Sequence, residues 1–186
     1  MRSSVAVREL GAARAFSGAF VGDERILADG WRIARVGDWP DFIAETLAEV
    51  AAETARPVLF AVEADDGSEG DAFVQVAVHL PSEPLTFNAW LGADAAAAAG
   101  NDLEGYDEAA AHQLLVVWSQ EAGLRPDTAT LAIALGRAEL SVDELLRTLL
   151  VGVGVLPGGT RVTCSSGSRI GSRSGRRSRS SRWTYC

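Results

Sequence analysis

The chain contains no lysine: all 17 of its basic residues are arginine. Schiff-base chemistry, a pyridoxal phosphate anchor, a Ser-Lys dyad and a phosphate loop ending in Lys-Ser/Thr are therefore excluded, since each needs an amine. Thiols are almost as scarce. The two cysteines, Cys164 and Cys186, both follow residue 160, so the body offers no thiol nucleophile, disulfide or thiolate metal site. Imidazole chemistry is limited to His79 and His112. No stretch approaches the roughly 20 apolar residues of a membrane span, and Met1 to Gly11 lacks the apolar centre of a signal peptide, so a cytoplasmic location is expected.

What is present suits an ordinary globular fold, with 186 residues, 47% of them hydrophobic and 23% charged. The charge is unevenly placed. Residues 1–160 carry 10 Arg against 25 Asp and Glu, a net of −15, whereas 161–186 carry 7 Arg and no acid. One domain is expected over 1–160, followed by a basic Ser/Arg-rich tail at 161–186. Such a body repels nucleic acid and anionic membrane, which leaves the tail as the only nucleic-acid candidate. From Thr163 onward the text is Ser, Arg and Gly with almost nothing to bury, the composition of disorder. It reads either as a basic arm of the Arg-Ser type or as non-native sequence from a shifted frame in a GC-rich gene. A companion RNA-binding motif is missing, since Phe16 to Val21 keeps only three residues of that signature.

Periodicity gives an α+β order. Asp29-Gly30 lies between Arg25–Ala28 and Trp31–Val36 as a two-residue hairpin turn. A helix is predicted from about Trp39 to Thr54, opened by Asp38 and stopped at Arg56-Pro57. Strand-like runs follow at Pro57–Glu63, Ala72–Leu80 and Leu85–Leu91, an antiparallel meander joined by the acidic turn Asp65–Asp71 and by Pro81–Pro84. Alternation assigns Val58, Phe60, Val62, Val74, Val76, Val78, Leu80, Leu85, Phe87 and Leu91 to the face that helices cover. Leu59, Glu63, Phe73, Gln75, His79, Thr86, Asn88 and Trp90 fall on the other. Asp94–Gly100 is a short helix or a spacer, and Asp107–Ala122 and Thr128–Leu135 are further helices. Ser141 with Glu144 forms a capping box for a last one.

Candidate chemistry is sparse. Glu108 and His112 lie four apart on one helix side, a spacing for two metal ligands or for an acid and its orienting carboxylate, and equally for a surface pair. That pair is the basis of a small metal-dependent hydrolase reading. The carboxylates from Glu63 to Asp71 lack calcium-loop spacing, Gly152-Val153-Gly154 follows a helix and is no dinucleotide loop, and Ser119 lacks a nucleophile elbow. No cofactor is expected. Large apolar groups on the mixed sheet face point to a polypeptide partner, with Leu59, Phe73, Gln75, Asn88 and Trp90 as its binding residues. The competing reading folds the N-terminal hairpin, with Trp31, over Phe73 and Trp90. An immunity protein whose acidic surface blocks a basic toxin site is a further alternative.

Four segments resemble the peptide-binding chaperone-like domains related to type III secretion chaperones and the YbjN family of actinobacteria, the TY-Chap type. They are Trp39–Ala48, then Val62–Gly67 with Phe73–Ala77, then Ala122-Gly123-Leu124-Arg125-Pro126, and Leu145–Leu149 with Gly152–Pro157. The turn between the first two strands is longer than in that family, an Ala-rich insert is added, and the Trp that often follows the second-helix Gly is missing. The resemblance implies a non-enzymatic protein that binds an extended or helical polypeptide, as a homodimer.

Overall fold

A computed structural model describes residues 2–7, 25–26, 30–36, 43–64, 72–82, 85–136 and 140–157. The acidic turn at 65–71, the segment 37–42 and the tail lie outside these residues. In chain order the elements are β1 (Arg2–Val7), β2 (Arg25–Ile26), β3 (Arg32–Val36), α1 (Ile43–Thr54), β4 (Val58–Ala64), β5 (Phe73–Leu80), β6 (Leu85–Leu91), α2 (Ala93–Ala98), α3 (Glu108–Glu121), α4 (Thr128–Gly136) and α5 (Val142–Gly152). All strands join one antiparallel sheet of order β2-β3-β1-β4-β5-β6. The expected α+β class, with a hairpin, a β4–β6 meander and C-terminal helices, is what the chain forms.

Three local rules set the helix boundaries. The Asp107 carboxylate accepts from the N–H groups of Ala109 and Ala110 at the start of α3. Ser141 and Glu144 cap α5 reciprocally, as their spacing predicts. Thr54 turns its hydroxyl back to the Val50 carbonyl at 2.7 Å, and Ala55 then takes a left-handed φ of 51° that ends α1.

Register corrects the expected faces. Leu59 stands opposite Val78 and Glu63 opposite Val74, whereas Val58, Phe60 and Val62 stand opposite His79, Ala77 and Gln75. Directly opposed residues share a face, so β4 is flipped by one position from the alternation reading. Leu59, Ala61, Val74, Val76, Val78, Ala89 and Leu91 form the main core with Leu115 and Trp118 of α3, Leu131 of α4, and Leu145 and Leu149 of α5. Each Val or Leu among them contributes about 1.5–3 kcal/mol by leaving water.

Helices cover both faces of the sheet instead of one. On the second face Phe73 and Trp90 pack with Ala95 and Ala96 of α2. Helix α1, whose buried residues Leu47, Val50 and Ala51 lie outside the main core, sits against β4 and β5. The hairpin also differs from its expected form. Ile26 pairs with Arg32, where a two-residue Asp29-Gly30 turn would have set Ile26 opposite Ile33, and residues 27–29 lie outside the described ones.

Candidate functional site

The proposed partner-binding residues do not form one surface. Leu59 is 1% exposed and lies on the face covered by α3 to α5, as its register with Val78 demands. Phe73 and Trp90 share the other face, with ring centroids 5.9 Å apart, but each is only 8% exposed because α2 lies over them. The cover is α2, not the hairpin. Trp31 is on the opposite side, inside the main core, its ring 5.3 Å from that of Trp118. Gly92 makes the close approach of α2 possible: its φ is +70°, and a Cβ there would stand 2.7 Å from the Ala72 carbonyl oxygen. Gln75 is half-buried beside Trp90, and Asn88 alone of the five is exposed.

Asn88 lies on β6, the last strand in the sheet order. The backbone of that strand gives the most informative geometry in the molecule. The Trp90 N–H donates to the Tyr106 hydroxyl at 3.3 Å, and the same hydroxyl donates to the Trp90 carbonyl at 3.1 Å. One side chain thus takes both polar groups that a paired strand residue would take. In an antiparallel ladder, alternate residues turn both groups to the same neighbour. Trp90 turns its pair outward, and the unbroken register from Val74↔Leu91 to Leu80↔Leu85 makes Asn88 and Thr86 do likewise. Among the described residues, none pairs with the outward backbone groups of Asn88 or Thr86. Among the described residues the sheet therefore has an open edge two outward residues long, closed at one end by Tyr106. A tyrosine in a loop gives no sequence signal of this role.

The other end is fixed from α3. Glu121 accepts from the Ser82 N–H at 2.8 Å and from its hydroxyl at 2.7 Å, which ties the β5–β6 turn to the helix. His79 lies beside it on β5, its Nδ1 2.9 Å from the Thr86 hydroxyl. Burial lowers the His79 pKa from its ordinary 6.5, and the Glu121 carboxylate opposes that shift. The Tyr106 hydroxyl is shifted up by burial, partly offset by its bond to Trp90, with Glu108 and Asp107 adding to the rise.

The pair proposed for metal chemistry is separated in role. His112 Nε2 donates to the Thr128 carbonyl at 3.0 Å and so tethers α3 to the start of α4, while Glu108 is exposed near Gly136. Among the described residues, no group of three or more His, Cys, Asp or Glu is placed to hold a metal ion. Ser119, another nucleophile candidate, is fully buried and donates to the Leu115 carbonyl at 2.7 Å. No described helix is long and apolar enough to cross a membrane. The chain matches no protein-family model, no curated protein and no solved structure.

Proposed function

We propose that this is a non-enzymatic, chaperone-like accessory protein that binds a polypeptide in extended form, by strand addition to β6. The observation that carries the reading is the open edge at Thr86 and Asn88, bounded by the Tyr106 hydroxyl on Trp90. Unpaired edge groups template another strand, and such recognition draws affinity from main-chain bonds. The resemblance to peptide-binding chaperone-like domains points the same way, but the surface differs from the sheet face first expected. For the hydrolase alternative, no third His, Cys, Asp or Glu joins Glu108 and His112 as a metal ligand among the described residues.

The test uses a substitution that spares the sheet. The Asn88 N–H points away from β5, so Asn88→Pro removes an outward donor without breaking the β5–β6 ladder. Peptides selected from a random displayed library against the full chain are expected to lose at least about ten-fold in affinity to Asn88→Pro, the 1.4 kcal/mol scale of a lost edge bond. The thermal midpoint should stay within a few degrees. Selected peptides that bind both proteins alike, or a library that yields none, overturn strand addition at this edge.

A further inference from the structure

Resting on that reading, we infer that the segment which adds to β6 is a short extended peptide with basic residues at both of its ends. The length follows from the backbone. At about 3.4 Å per residue, the stretch from Thr86 to Trp90 spans roughly 14 Å. Tyr106 already occupies the outward groups of Trp90, so pairing is confined to Thr86 and Asn88. The charge follows from what flanks this stretch. At the turn end stands Glu121, held on Ser82. At the far end the loop that carries Tyr106 and the start of α3 bring exposed Glu104, Asp107 and Glu108. Asp107 and Glu108 lie within coulombic reach of the Tyr106 hydroxyl. Carboxylates thus stand at both ends of the edge, Glu121 at one and Asp107 with Glu108 at the other.

A second copy of the chain suits this edge poorly. Antiparallel pairing of β6 with its own copy about a two-fold axis would bring Glu121 of one molecule to the Glu108 end of the other. Like charges would meet at both ends, where a basic peptide meets opposite charge.

The experiment uses two labelled hexapeptides with the same Thr-Val-Thr-Val core, one flanked by arginines and one by glutamates. Fluorescence anisotropy is measured with the full chain and with Asn88→Pro, and with the double variant Glu108→Gln/Glu121→Gln, whose amides keep the shape of the acids. The arginine-flanked peptide is expected to bind at least about ten-fold more tightly, a preference of about 1.4 kcal/mol. Asn88→Pro should abolish its binding, and the double variant should shrink the preference to within a few-fold. Equal affinity for the two peptides overturns the charge inference and leaves strand addition standing. Arginine-peptide binding that ignores Asn88→Pro overturns both, because the contact is then diffuse attraction to the acidic body. Failure of both peptides to bind overturns the strand-addition reading itself.

Discussion

At the scale of the residue, His79 shows how burial and a neighbouring charge compete. Burial disfavours its charged form more than the Glu121 carboxylate favours it, so its folded pKa lies below the ordinary 6.5. The unfolded chain then binds the proton more readily. Stability from this group is fully present above about pH 6.5 and is lost as pH falls through the lower folded value. Thermal midpoints measured from pH 8 to pH 5 should therefore fall more steeply for the native chain than for His79→Gln, whose amide can still reach the Thr86 hydroxyl. Parallel curves for the two proteins would show that His79 is charged as easily in the fold as outside it. The same histidine was legible in the sequence only as a position on the mixed sheet face. Its link to Glu121 joins residues 42 apart and follows from tertiary packing alone.

At the scale of the element, caps and strand limits were the most legible features, because the chemistry that sets them is local. Ser141 with Glu144, and Asp107 before the apolar stripe of α3, satisfy orphan N–H groups wherever the chain goes next. The faces of β4 were not legible for a physical reason. Val58 to Val62 is a continuous apolar run buried on both sides, so alternation contains no mark of which side is which. That one-position slip moved Leu59 to the wrong face. The short helix α2 decides the fate of the other two aromatics. A run of alanines carries no amphipathic signal, yet Ala95 and Ala96 are the small residues that let α2 lie close over Phe73 and Trp90. Trp90→Ala is accordingly expected to cost roughly 3–5 kcal/mol, the range for removing a buried aromatic. Chemical denaturation would measure it. A variant with unchanged stability would mean that α2 does not cover the ring in solution.

At the scale of the whole molecule, the decisive fact is that the first strand lies at the middle of the sheet. Strand β1 pairs with β3 from Ser3 to Val7 and with β4 from Arg2 to Ala6. Arg-Ser-Ser-Val-Ala-Val has too weak an alternation to announce a strand, and no local pattern could show that it separates β3 from β4. Among the described strands, β2 and β3 thus join the rest of the sheet through β1. Trp31, immediately before β3, is fully buried against Trp118. Five paired positions on each side imply on the order of ten backbone bonds, each worth about 0.5–1.5 kcal/mol net. Their sum rivals the roughly 5–15 kcal/mol by which whole domains are stable. Deleting residues 1–7 should therefore not trim the fold but abolish its cooperative thermal transition, with loss of the near-ultraviolet circular dichroism of the Trp31–Trp118 pair. Adding a synthetic peptide of residues 1–7 in excess should restore part of that signal, since the gap between β3 and β4 offers unpaired groups on both sides. A truncated chain that melts cooperatively within a few degrees of the full one would show that β3 and β4 close the gap themselves and that β1 is dispensable.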